Sequence, residues 1–104
     1  MVKYEVWQLP LSSPYKFSHY DWLKEEPTVK DYVIVYFGIY SSSIGRKKRD
    51  VVLEDIFGKI NWETPIDYHA ASMSVSDVIC LIDDDKRTWW YVDGIGFKQL
   101  NWKE

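Results

Sequence analysis

The sequence predicts an α+β domain, a single antiparallel or mixed sheet of about five strands with two helices packed on one face. Three observations carry this reading. Residues 3–9 and 77–101 alternate or run apolar in strand-length pieces separated by turn residues. Residues 50–62 place Leu53, Ile56, Phe57 and Ile60 at i, i+3, i+4 and i+7, the spacing of one helix face. Residues 31–40 are almost continuously β-branched or aromatic, which suits a long strand.

Taken in order, Lys3 to Leu9 forms a first strand with Tyr4 and Val6 on one face and Lys3, Glu5 and Trp7 on the other, and Pro10 ends it. Ser and Pro content makes 11–16 a loop. Ser18 is placed to cap a short helix over 19–25, where Asp21 complements the positive N-terminal end, Pro27 blocks continuation, and Tyr20 and Leu23 face inward. The strand at 31–40 is expected at the centre of the sheet, since an unbroken apolar run fits coverage on both faces. Ser-rich and then basic, 41–49 is expected to be an exposed, mobile connection. Asp50 is expected to cap the second helix, which ends near Trp62. Gly58 within it costs about 1 kcal/mol relative to Ala, so either a backbone packs closely there or an exposed face tolerates the loss. After a turn at Thr64-Pro65-Ile66-Asp67, strands are expected near 77–82, 87–93 and 96–101, joined by Asp83-Asp84-Asp85 and Gly94-Ile95-Gly96.

A chain of 104 residues is one domain's worth, spanning 1–104. Its 6 Trp, 8 Tyr and 4 Phe are a heavy aromatic load: they fill the core, or two or three of them form a partner-binding patch. A net charge of −3 argues against a general nucleic-acid binder, with Arg46-Lys47-Lys48-Arg49 the single basic run. The lone Cys80 reads as a small buried hydrophobe in a reducing compartment. No secretory signal pattern opens the chain, and no run approaches the roughly 18 apolar residues of a membrane span, so a cytoplasmic protein is expected.

Motifs for chemistry are weak. A zinc site would need His19, His69 and Cys80 together from segments without close ligand spacing. The Asp83 triplet lacks the Gly and Glu of a calcium loop and reads as a solvated hairpin tip. Ser74, Ser76, His69 and Asp77 are close in sequence, but without a Gly-x-Ser-x-Gly elbow Ser76 and Asp77 read as a side-chain turn that starts a strand. Asp93 before Gly94 is a turn former or, alternatively, a general acid or base. No cofactor or metal is implied.

Nearly the whole chain resembles the YodL-like domain family of Firmicutes and their mobile genetic elements. The resemblance runs through Tyr4-Glu5-Val6-Trp7-Gln8-Leu9, Tyr20-Asp21-Trp22-Leu23, Leu53-Glu54-Asp55-Ile56-Phe57, Ser72-Met73-Ser74-Val75-Ser76-Asp77-Val78-Ile79 and Tyr91-Val92-Asp93-Gly94-Ile95-Gly96-Phe97. It departs at 41–49, longer and more basic than the pattern. The resemblance implies an accessory domain carried by mobile DNA, near antirestriction and DNA-transfer functions, with no catalytic residues to carry over. An acidic, aromatic-rich chain of this kind is similar to anti-defence proteins, anti-CRISPR inhibitors among them.

The expected function is therefore a non-enzymatic binder that inhibits a host defence protein or nucleoprotein, such as a CRISPR effector or its guide RNA. Trp22, Trp89, Trp90, Asp83, Asp84 and Asp85 are the expected contacts. Trp89 and Trp90 point to opposite faces of a strand, so one of them should stay partly exposed. The alternatives are an RNA- or DNA-contacting regulator using Arg46, Lys47, Lys48 and Arg49, and a small hydrolase built around Asp77, Asp93 or His69.

Overall fold

The structure, a computed structural model, describes residues 2–41 and 48–102. Five strands form one open antiparallel sheet: β1 (Val2–Gln8), β2 (Val33–Tyr40), β3 (Val78–Asp83), β4 (Lys86–Val92) and β5 (Phe97–Leu100). Their order is β2-β1-β3-β4-β5, with β1 paired to both β2 and β3. The described residues hold one α-helix, α1 (Arg49–Trp62), and two single 3-10 turns at Tyr20–Trp22 and Val29–Asp31.

The alternation of β1 works as the sequence suggests. Tyr4 and Val6 join Val52, Leu53, Ile56, Ile60, Ile79, Leu81 and Trp90 in a core beneath α1. A second core fills the other face, where Val78, Cys80, Trp89, Tyr91 and Leu100 meet Leu9, Tyr32 and the half-buried Tyr15, Tyr20, Leu23, Val29 and Trp102. The covering there is the irregular strap 9–32. Both sheet faces are therefore dry over β3 and β4, which lets a 104-residue chain bury a two-layered core.

Five expectations need correction. The segment expected to be a helix at 19–25 makes only the 3-10 turn, because His19 and Leu23 both have extended backbones and the Tyr20 amide is spent on the Asp93 carboxylate at 3.1 Å. Its inward residues are as expected: Tyr20 packs edge-on against Tyr91, at 5.6 Å between ring centroids, and Leu23 joins the second core. That segment lies on the face opposite α1, so the two helical pieces do not share a face. β2 is an edge strand and not the central one, since β1 sits between it and β3. Its apolar run is accounted for by α1 on one side, and on the other Ile34, Phe37 and Ile39 remain exposed.

The fourth correction concerns the indoles. Trp89 and Trp90 do point to opposite faces, but with both faces covered they are 5% and 8% exposed, and neither offers a docking surface. The fifth is the start of α1: Lys48, with an extended backbone and no side-chain capping bond, holds the N-cap position expected for Asp50, which lies inside the first turn. Residues 42–47, which include Arg46 and Lys47 and most of the connection expected to be mobile, lie outside the described residues.

Gly38 of β2 is required by packing, because the Tyr4 ring lies where its Cβ would be. Gly58 is not: a Cβ there meets only Trp62 Cδ1 at 3.8 Å, an ordinary contact, so the half-exposed face tolerates it. No helix among the described residues is long and apolar enough to cross a membrane.

Candidate functional site

The strap has no regular hydrogen-bond ladder, so its position depends on side chains that tie it to the sheet. The principal tie is Asp77, fully buried just before β3. Its Oδ2 accepts from the Ser74 amide at 2.9 Å and from Gln8 Nε2 at 3.1 Å, while Oδ1 faces Lys16 Nζ at 3.5 Å. The first contact is the side-chain turn the sequence suggests; the other two reach 69 residues back to β1 and into the strap. The lysine contact is long, and Oδ1 makes no hydrogen bond, so compensation for burial is incomplete. Burial accordingly pushes the Asp77 carboxyl up to about 6, against the opposing pull of the Ser74 amide, Lys16 and Gln8.

Ser76, with φ of 88°, turns its hydroxyl to accept from the Phe17 amide at 3.0 Å and its carbonyl to accept from Tyr32 Oη at 2.7 Å. Tyr91 Oη donates to the Ser18 carbonyl at 2.6 Å. Desolvation raises the pKa of both tyrosines, so these hydroxyls remain fixed donors. Gln8 Nε2 and Tyr68 Oη converge on the Ala71 carbonyl, which extends the same polar knot to the segment leading into β3.

Beyond these ties the strap presents a ridge. Asp93 Oδ1 accepts from the Tyr20 and Gly94 amides at 3.1 and 2.8 Å, and lies 3.6 Å from His19 Nδ1. The His19 ring lies where a Cβ on Gly94 would be, so any larger residue there would displace the ring. Trp22 stands edge-on to His19 at 4.4 Å between ring centroids and is 72% exposed. Phe17, 56% exposed, lies two residues before His19 and is tied to Ser76, and Ile95, 98% exposed at the tip of the β4–β5 turn, follows the Gly94 on which His19 packs. All occupy the end of the sheet defined by Gln8, Val33, Val78, Val92 and Phe97. At the C-terminal end of α1 the Asn61 side chain and the Met73 backbone exchange hydrogen bonds, and Trp62 and Ile66 are exposed.

The chain belongs to the YodL-like domain family. The family model matches residues 3–102, which is nearly the full length. No curated protein and no solved structure matches the chain.

Of the expected contact residues in this YodL-like domain, Trp22 alone contributes to the ridge, while His19 and Asp93, considered in the sequence for other roles, support it. Asp83, Asp84 and Asp85 form the exposed β3–β4 turn, with Asp84 and Asp85 in the left-handed conformation at φ of 51° and 66°. That turn is at the opposite end of the sheet, a strand length or roughly 20 Å away. Of the basic run, Lys48 is exposed and Arg49 holds its guanidinium over the Trp90 ring at 5.3 Å. His69 is exposed and Asp77 is fully buried. Among the described residues no group of three His, Cys, Asp or Glu side chains is arranged to hold a metal ion.

Phe17 and Ile95 were not distinguishable as surface contacts from the sequence, and His19 was considered only as a zinc ligand. His19 and Trp22 sit three residues apart, but the partner that fixes them, the Asp93–Gly94 turn, is more than seventy residues away.

Proposed function

We propose that this YodL-like domain is a non-enzymatic binding module that docks through the Phe17–His19–Trp22–Ile95 ridge onto a host defence protein or nucleoprotein in the cytoplasm and inhibits it. One observation carries the reading: Trp22 is largely exposed yet held in place by His19, itself seated on Gly94. An aromatic residue that is ordered before contact loses little entropy on binding, which is what an interface anchor requires. The acidic turn Asp83–Asp85 and the net charge of −3 complement a basic surface such as a nucleic-acid channel, and steer the encounter. Carriage on mobile DNA of Firmicutes, beside antirestriction or transfer genes, belongs to the same proposal, and an anti-CRISPR inhibitor is its most specific form.

The ionisable groups support structural roles. Asp77 has no exposed surface, and Asp93 Oδ1 already accepts two backbone amides. The basic run contributes Arg49 to stacking on Trp90, which supports helix docking more than contact with RNA or DNA.

The test uses host interference assays and measured affinity for the captured target. Trp22→Ala and Ile95→Asp should each weaken binding by about 2 kcal/mol, roughly 30-fold in Kd, with an unchanged melting temperature. Reversing the charges of 83–85 should slow association, most at low salt. Full inhibition by the Trp22→Ala, Ile95→Asp double variant contradicts the proposal. Inhibition abolished by neutralising 46–49, or by Asp93→Asn or His69→Ala in a stably folded protein, would favour the nucleic-acid or hydrolase reading instead.

A further inference from the structure

Asp93-Gly94 is the one Asp-Gly pair in the sequence, and it opens the turn between β4 and β5, where the Asp93 amide donates to the Gly96 carbonyl at 3.1 Å. The Asp93 side chain folds back over its own peptide bond. The Gly94 amide donates to Asp93 Oδ1 at 2.8 Å, so a backbone nitrogen already touches the carboxyl of the residue before it. Gly94 is exposed to water and has no Cβ to hinder a closer approach. Oδ1 accepts a second bond from the Tyr20 amide at 3.1 Å.

From this geometry we infer that Asp93-Gly94 is a self-modification site, where the main chain rearranges through a cyclic imide to a β-linked isoaspartyl residue. The Gly94 nitrogen bonds to Asp93 Cγ, the Cγ–Oδ2 bond breaks, and Oδ2 leaves as water with the carboxyl proton and the amide proton. No other reactant is needed. Charge that develops on Oδ1 during the attack faces the Tyr20 N–H, which sits where an oxyanion donor is required. Water then opens the imide. Attack at Cγ restores aspartate, and attack at the main-chain carbonyl carbon leaves the chain running through the β-carboxyl. Asp83, Asp84 and Asp85 also lie in an exposed turn, but each is followed by a residue with a side chain, so the same approach is hindered there.

The consequence falls on the ridge. The β-linkage adds a methylene to the main chain before Gly94 and makes the former main-chain carboxyl the free one, which moves the acceptor of the Tyr20 amide and the glycine beneath His19. Trp22, braced by His19, loses its support. Resting on the docking reading above, the conversion disarms the ridge as the protein ages.

Peptide mapping of wild-type protein kept at physiological temperature in heavy-oxygen water tests the chemistry. The tryptic peptide 88–98 contains Asp93 and no other Asp or Asn, so the site is read without ambiguity. It should accumulate an isomer that carries heavy oxygen, elutes apart from the parent and accepts a methyl group from S-adenosylmethionine through an isoaspartyl methyltransferase. The rate in the folded protein should lie within about tenfold of that in the free synthetic peptide 88–98, and exceed the rate at every other Asp by about tenfold or more. In the isoaspartyl form, separated chromatographically, the Tyr20 amide should exchange faster and the target should bind at least about tenfold more weakly. A folded protein without isoaspartate at 93 once the free peptide has converted would overturn the inference, as would an isoaspartyl form whose Tyr20 amide stays as protected as in the parent. An isoaspartyl form with a fast-exchanging Tyr20 amide and undiminished target binding supports the modification and contradicts the docking reading.

Discussion

The helix-covered face of the sheet and the strap-covered face bury comparable aromatic and aliphatic residues, but they are held by different means. Under α1 the contact is a stripe of Leu53, Ile56 and Ile60 against Tyr4, Val6 and Ile79, non-directional and set by spacing along one helix. Under the strap, position depends on directed bonds that join distant parts of the chain: Asp77 to Gln8 and Lys16, Ser76 to Phe17 and Tyr32, Tyr91 to Ser18, and Trp102 Nε1 to the Pro27 carbonyl at 2.9 Å. A helix brings its own backbone hydrogen bonds, while an irregular covering needs partners supplied by the surface it covers. The strap face is consequently the one that can hold an aromatic ridge at the sheet's end, and the one a single polar substitution should loosen.

The sharpest way to separate the two faces is Asp77→Ala. It leaves Lys16, Gln8 and the Ser74 amide without their buried acceptor, and should cost about 3–5 kcal/mol in denaturant unfolding, with the strap released before the sheet melts. Leu53→Ala on the helix face should cost about 2–5 kcal/mol through cavity formation, and should lower global stability without selective loss of the strap. Equal effects on the strap from both variants would erase the distinction.

The pH dependence is smaller. Burial holds the Asp77 carboxyl near 6, above its ordinary 3.8, so the folded state binds this proton more tightly than the unfolded chain does. The stability it contributes is fully present below about pH 4 and is lost as pH rises through about 6. The difference in unfolding free energy between wild type and Asp77→Asn should therefore shift by up to about 3 kcal/mol between pH 4 and pH 7, in favour of the wild type at the acidic end. The smallest effect belongs to the helix face: Gly58→Ala, whose Cβ fits without a clash, should stabilise by about 1 kcal/mol and leave the strap untouched.

The same contrast decides how much was legible in the sequence. The strands at the ends of the chain and α1 could be read because alternation and the 53-56-57-60 stripe are local signals. The edge position of β2 could not, since an unbroken apolar run looks the same whether its second face is covered or left open. The opposite orientations of Trp89 and Trp90 follow from the period of a strand, but Trp89 is covered by Trp7 and by Trp102, the latter in an irregular segment after β5 that carries no period. Trp22 could be named as a contact residue from its type alone. Phe17, His19 and Ile95 acquire meaning only when residues 17–22 and 93–96 meet, and no local pattern announces a contact across more than seventy positions.

Amide hydrogen exchange at Phe17 and Tyr20 examines the strap most directly, because these two N–H groups donate to Ser76 and Asp93 and hold the segment that carries Trp22. Both should exchange slowly in the wild-type protein and rapidly in Asp77→Ala, with the β1, β3 and β4 amides still protected. Exchange at Phe17 and Tyr20 as fast as in an unstructured chain in the wild type would contradict a pinned strap, and with it a ridge ordered in advance of its partner.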